Sequence, residues 1–228
     1  MQQYFIDRSL NTGDIVVLDD DALHHLVKVL RKDSSYVFRL ADKDGKIFHA
    51  HLLNKKECEV GEFVDENSEL DCDITCIMSL IKSDRFELAI QKLVEIGVKR
   101  IVPYESYRSV MKIKDEKKMD RFRKIAREAA EQSHRNIIPE ITEPVSIKGL
   151  KDCMSENNYI CYESEKQIID IRAQGSVTYI IGPEGGFDRE EYEKICAMGF
   201  ESISLGKRIL RAETAAIYAG SIIVSKCQ

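Results

Sequence analysis

From about residue 72 onward, short apolar runs alternate with stretches that carry apolar residues at helical spacing. No other feature of the chain constrains its fold as much. Residues 74–81 read as a strand. Asp84, with Glu87 three positions on, has the form of a capping box. It would open a helix that turns Phe86, Ile90, Leu93 and Val94 inward and stops at Gly97. Glycine suits such a stop because it adopts the left-handed backbone without strain. Residues 100–103 give the next strand. Residues 115–133 give a long helix with Met119, Phe122, Ile125, Ala126 and Ala129 on one side. Strands at 159–162 and 177–181 follow. Asp188 then opens a helix, with Glu191 at the box position and Gly199 at the stop. A strand at 202–205 and a helix at 212–225 close the series. This alternation predicts a mostly parallel sheet covered by helices.

The first 70 residues follow another rhythm. Apolar runs at 14–18, 36–40, 46–53 and 58–64 are separated by turn signals, Asn11-Thr12-Gly13 and Asp42-Lys43-Asp44-Gly45. One helical stretch, 20–30, places Leu23, Leu26, Val27 and Leu30 on one face. A small β-barrel module is the natural reading. Residues 65–69 are polar and aperiodic and read as a linker, so domains are expected at 1–70 and 71–228.

No run has the apolar length of a membrane span, and residues 1–8 lack the basic-then-apolar layout of a secretion signal. A cytoplasmic protein is expected. The seven cysteines are Cys58, Cys72, Cys76, Cys153, Cys161, Cys196 and Cys227. They form no CxxC pair and have no histidine nearby. Reduced thiols that act as small core hydrophobes are expected, with no metal site. The net charge of −5 hides an asymmetry, because residues 80–135 carry 15 basic against 9 acidic side chains. Such a segment suits a face that meets phosphates; on charge alone, a solvated helix laced with ion pairs accounts for it as well.

Three segments carry chemistry. Ile181-Gly182-Pro183-Glu184-Gly185-Gly186-Phe187 lies between a strand and a capped helix. Ligands of parallel α/β sheets sit at that end of the strands. The glycines let a ligand approach the backbone. The pattern is neither of the glycine-rich phosphate signatures, and Glu184 would repel a phosphate. A neutral or cationic ligand fits better, and S-adenosylmethionine, with its sulfonium and ammonium, meets that description. A tight turn with no ligand explains the glycines equally well. The second segment, residues 205–215 (LGKRILRAETA), also joins a strand to a helix. Two such loops can close on one ligand from both sides. The third, residues 128–136, ends the basic helix with His134, Arg135 and Asn136, groups suited to a phosphate or a base edge.

Taken together, these stretches resemble the RsmE family, the 16S ribosomal RNA uridine N3-methyltransferases of the SPOUT superfamily. The resemblance rests on IGPEGGF at 181–187, LGKRILRAETA at 205–215 and EQSHRNIIP at 131–139. It extends to QKLVEIGV at 91–98, YRSV at 107–110 and HHLVKVLR at 24–31. Gln3 stands where a basic residue is expected, and Ser34-Ser35 replaces a glycine-acid turn.

The resemblance implies a PUA-like barrel followed by an α/β SPOUT domain with a C-terminal trefoil knot. It also implies a homodimer that acts on the small ribosomal subunit and uses S-adenosylmethionine without a metal. Three loops would hold the donor: Cys161, Tyr162 and Glu163; Ile181, Gly182, Pro183, Gly185 and Gly186; Leu205, Gly206, Ile209, Leu210 and Ala215. Arg211 would stabilise the uridine anion, since a guanidinium cannot act as a base at neutral pH. Glu213 would accept a proton, orient Arg211, or simply face the helix dipole. Glu184 would accept a proton or balance the donor's charge, and His134 is a further base. RNA would meet His25, Arg31, Arg108, Lys112, Arg127, His134, Arg135 and Asn136, with Lys114 and Arg121 along the same backbone track. Two alternatives keep the same fold: a non-catalytic factor of ribosome assembly that binds ribosomal RNA, and a SPOUT enzyme acting on another RNA position.

Overall fold

The computed structural model describes residues 1–113, 115–163, 171–173 and 175–227. They form two compact units, Met1–Glu69 with Ala130–Ile138, and Leu70–Ala129 with Pro139–Gln228.

The first unit is built on β1 (Gln3–Phe5), β2 (Ile15–Val17), α1 (Asp20–Leu23), β3 (Val37–Ala41), β4 (Ile47–Leu52) and β5 (Glu57–Val64). Its sheet runs β1-β3-β4-β5-β2. β1 is parallel to β3, and the other pairings are antiparallel. In β2 the alternation is plain: Val16 is buried while Ile15 and Val17 face solvent. Leu26, Phe38, Leu40 and Cys58 are wholly buried in the core. Asp19 caps α1 by accepting from the Ala22 N–H at 2.8 Å. The expected helix over 20–30 falls into two parts, because α1 widens into a π-helix, His24–Val29. Arg31 follows with φ 52°. β1 has only three residues, too few to show a period.

Residues 130–138 are hydrogen-bonded into this first unit. Arg135 pairs with Glu69, and the same carboxylate accepts the Asn136 N–H at 3.0 Å. The Asn136 amide donates to the carbonyls of Gly45 and Glu66, and its oxygen accepts from the Ser68 N–H. Gln3 is buried; it donates to the Arg135 carbonyl and accepts from Arg39 Nε. The expected linker at 65–69 therefore supplies partners to a polar network. Its lack of periodicity reflects hydrogen-bonding duty rather than slack chain.

The second unit contains β6 (Asp73–Ser79), α2 (Ser83–Glu95), β7 (Arg100–Tyr104), most of α3 (Glu116–Gln132) and β8 (Glu140–Ile141). It continues with β9 (Asn157–Cys161), β10 (Ser176–Ile181), α4 (Arg189–Ala197), β11 (Glu201–Ile203) and α5 (Ala212–Val224). The sheet order is β11-β9-β10-β6-β7-β8, with every pairing parallel. β6 and β10 lie at the centre and are buried nearly throughout, as a strand covered on both faces must be. Gly97 and Gly199 take φ 102° and 112°, as expected of helix stops. A 3₁₀ helix, Ile147–Cys153, precedes β9 and has no clear period in the sequence.

Two expectations are corrected here. Asp84 does not cap α2. The helix starts at Ser83 with Lys82 as its N-cap, and the orphan Lys82 N–H donates to Glu184 Oε1 at 3.1 Å. The acceptor comes from a loop 102 residues away, which local spacing could not reveal. Nor are all the thiols reduced: Cys72, before β6, and Cys227, after α5, form a disulfide with Cα atoms 5.8 Å apart. Packing of α5 against β6 brings these residues together across 155 positions of chain.

Candidate active site

β9, β10 and β11 lie near one another in the sheet and end on the same side, so the loops that leave them converge. Between those loops is a cavity of about 330 Å³, within the range of small-molecule sites. Cys161, Tyr162 and Glu163 line it from the end of β9, and Ile181, Gly182, Pro183 and Glu184 from the end of β10. After β11 come Leu205, Gly206, Ile209, Leu210, Arg211 and Ala215. The loop after β9 is pinned on two sides: the Tyr162 N–H donates to the Ile203 carbonyl at the end of β11 at 3.1 Å, and Tyr162 stacks on Tyr192 of α4 at 4.0 Å.

Gly185 and Gly186 do not line the cavity. Gly186 has φ 68°, and a Cβ there would run into the Glu163 carboxylate. A Cβ on Gly182 would lie 3.0 Å from the Phe187 ring. These two glycines let the loops close on themselves and on one another. Burial pushes the Cys161 thiol up, so it stays a neutral wall group.

Arg211 is exposed at the cavity wall and is the N-cap of α5, with no side-chain capping bond. Glu213 is buried and is not a wall residue. Its Oε2 has no hydrogen-bond partner among the described residues, and its Oε1 lies 3.9 Å from Arg85 Nε. Arg85 itself reaches the cavity from the first turn of α2. No local signal marked Arg85, because only the packing of α2 and α5 brings it here. Phe187, Ser204, Arg208 and Ala212 also line the wall. Phe187, Arg208 and Ala212 fall within the two loop stretches already picked out, and Ser204 adjoins the second.

The residues expected to meet RNA are scattered and differently engaged. Arg135 and Asn136 are buried and bonded as described, which removes them from direct contact with a phosphate or base. His134 takes φ 56°, and its Nε2 lies 2.9 Å from the Met1 carbonyl. His25 Nδ1 lies 3.0 Å from the Tyr4 hydroxyl. Arg31 and Lys112 are exposed, and Arg127 is half-buried. Arg121 pairs with Glu87. Arg108 donates to the Gly185 carbonyl and to Asp188, so it braces the 182–188 loop. Lys114 lies outside the described residues. No helix among the described residues is long and apolar enough to cross a membrane.

Comparison with known proteins agrees with both halves of this description. Residues 18–63 match the RNA methyltransferase PUA domain, and residues 68–224 match the RNA methyltransferase domain. The chain is 34% identical to ribosomal RNA small subunit methyltransferase E of Mesomycoplasma hyopneumoniae, over 100% of this chain and 99% of that one. It is 34% identical to the protein of that name from Bacillus subtilis, over 98% and 96%. A crystal structure of the Neisseria gonorrhoeae protein of that name, bound to S-adenosyl methionine, superposes with a TM-score of 0.91 at 31% identity, covering 99% of this chain and 97% of that one. A PUA-like unit followed by an α/β methyltransferase unit, with relatives of this identity over the full length, means that the chain belongs to the ribosomal RNA small subunit methyltransferase E family.

Proposed function

We propose that this chain transfers a methyl group from S-adenosylmethionine, held in the cavity at the ends of β9, β10 and β11, to N3 of a uridine in 16S ribosomal RNA. The observation that carries this reading is the convergence of three loops on one cavity with Arg211 in its wall. The Neisseria relative bound to S-adenosyl methionine supports the choice of donor. The wall also suits it chemically, since Glu163 and Glu184 offer carboxylates to a cationic ligand. When bound, this co-substrate supplies an electrophilic methyl group. A guanidinium is no base at neutral pH, so Arg211 acts on the uridine anion. Glu184 already accepts the Lys82 N–H, which fits charge balance better than proton transfer. Glu213 acts through Arg85, because it faces that guanidinium and not the cavity. The N3 proton leaves to solvent.

The target uridine must be unpaired or flipped for N3 to be reached. Arg31 in the first unit and Lys112 in the second are exposed and available to track the RNA backbone, and His25, Arg127 and His134 are further candidates. The chain works in the cytoplasm as a homodimer. Ile209, 88% exposed beside the cavity, and Val110, 70% exposed, are apolar side chains that a second subunit would cover. A trefoil knot is consistent with the path of α5. That helix packs back on α2, β6 and β10, although the strand before it lies at the sheet edge beyond β9.

The test is methyl transfer to small subunits that lack the modification, with the product nucleoside identified by mass spectrometry. Arg211→Ala is expected to lose on the order of 10²-fold in kcat. Full activity in that variant rejects the role of Arg211, and a methyl group on another atom rejects N3. A monomer in light scattering at working concentration rejects the dimer.

A further inference from the structure

Glu191 holds the expected capping-box position of α4, yet it does not cap. It is fully buried, and its carboxylate takes three donors from one segment. Oε1 accepts from the Tyr104 hydroxyl at 2.6 Å and from the Tyr107 N–H at 3.0 Å, and Oε2 accepts from Ser106 Oγ at 2.9 Å. The next residue along that segment is Arg108. Its guanidinium donates to the Gly185 carbonyl at 3.2 Å and to Asp188 Oδ2 at 3.0 Å. Asp188 is in turn the N-cap of α4, accepting from the Glu190 N–H. A closed circuit results, running from the first turn of α4 through residues 104–108 and back to the loop that forms one wall of the cavity.

Each half of the circuit needs the other. Arg108 is half exposed, and an exposed arginine pair of this kind stabilises by only a fraction of a kcal/mol when its backbone is free to move. Glu191 removes that freedom by ordering the segment from below. Conversely, a buried carboxylate costs several kcal/mol in desolvation unless every lone pair is met, and an apolar side chain would fill the same space without that cost. The carboxylate is therefore poorly explained as packing alone. The Tyr104 hydroxyl is pushed far up, first by burial and then by its bond to Glu191, so it stays a donor at all working pH values.

We propose that Glu191 is a positioning residue for the methyl donor: through Tyr104, Ser106 and Tyr107 it sets Arg108 against the 182–188 loop, holding that wall of the cavity in its binding form. This rests on the reading of the cavity as the donor site.

The test is titration calorimetry with S-adenosylmethionine on the full chain, together with steady-state kinetics on small subunits lacking the modification. Glu191→Met is expected to raise the donor Kd and KM about tenfold, a loss of about 1.4 kcal/mol. Its kcat at saturating donor should change much less, a split that general damage to the fold would not produce. Glu191→Gln keeps an oxygen for Tyr104 and Tyr107 and an amide that can meet the Ser106 hydroxyl, so it should restore affinity to within about threefold of the parent. Arg108→Ala should weaken binding similarly, and adding it to Glu191→Met should cost little more, because both remove the same clamp. If Glu191→Met does not fold, Ser106→Ala and Arg108→Ala carry the same double-mutant comparison. An unchanged donor Kd in folded Glu191→Met, or simple additivity with Arg108→Ala, overturns the positioning role. Failure of the parent protein to bind S-adenosylmethionine overturns the donor reading itself and is separately visible.

Discussion

Replacing Glu69 tests whether Arg135 anchors the first unit or serves RNA. The Arg135 and Glu69 side chains are 4% and 18% exposed, so the pair is largely withdrawn from water. Glu69 Oε1 also accepts the N–H groups of Asn136 at 3.0 Å and Ile137 at 3.3 Å. Removing one partner of a buried pair typically costs about 3–5 kcal/mol, because the remaining charge stays uncompensated. Each N–H left without an acceptor adds roughly 1 kcal/mol where water can reach it in part. Glu69→Ala should therefore cost about 5–7 kcal/mol, as much as the whole stability of a small unit at the low end of the usual range of about 5–15 kcal/mol. Glu69→Gln retains one acceptor oxygen and should cost about half as much. Urea unfolding by circular dichroism, with hydrogen exchange on the amides of β1, β3 and residues 130–138, reads the loss and locates it. In parallel, the salt dependence of RNA affinity should be unchanged by Arg135→Gln at a temperature where that variant stays folded. A lost phosphate contact would instead reduce the slope by about 0.7 on single-stranded RNA. If Glu69→Gln stays within about 0.5 kcal/mol of the parent while Arg135→Gln lowers the salt slope, the anchoring argument fails.

Two further outcomes follow from the geometry. Gly186→Ala should weaken S-adenosylmethionine binding by about fivefold or more, since a left-handed φ costs an alanine about 1–2 kcal/mol and its Cβ must also displace the Glu163 carboxylate. Calorimetry showing unchanged affinity would contradict this. The Arg121 guanidinium hydrogen-bonded to Glu87 holds that carboxyl at about 2, below its ordinary 4.5. Because the folded-state value is the lower one, Glu87 stabilises the fold above the ordinary value, and its contribution fades as pH falls from 4.5 through about 2. The stability difference between the parent and Glu87→Gln should shrink over that range, and a difference that stays constant in urea melts from pH 5 to pH 2 would refute the pairing.

Regular elements that bury one face were legible from the chain. The period of Phe86, Ile90, Leu93 and Val94, and the apolar stretches Cys76-Ile77-Met78 of β6 and Tyr179-Ile180-Ile181 of β10, follow directly from what a helix stripe and a covered parallel strand require. The glycine stops at 97 and 199 were equally plain, because their backbone angles exclude most other residues without strain. Two of the three cavity loops were visible as glycine turns after strands; the one at 161–163 carries no such local mark. Elements too short to express a period escaped: β1, β8 and the 3₁₀ helix.

Side-chain polarity was the poorer guide. Arg135, Asn136 and the 65–69 stretch look like surface or linker in one dimension, yet they form a buried network. A polar residue states that it needs a partner but not whether that partner is water, RNA or another part of the chain. Glu191 and Glu184 make the same point, each paired with a segment more than 80 residues away. By itself the sequence determined the class of sheet and two of the loops that form the cavity, because these depend on local periodicity and local backbone freedom; the motifs in those loops carried the resemblance to the family. Only the tertiary structure decided that Gly186 serves loop closure, that Arg85 faces Glu213 beside the cavity, and that Cys72 meets Cys227. Those contacts arise where distant segments pack together, and no spacing along the chain encodes them.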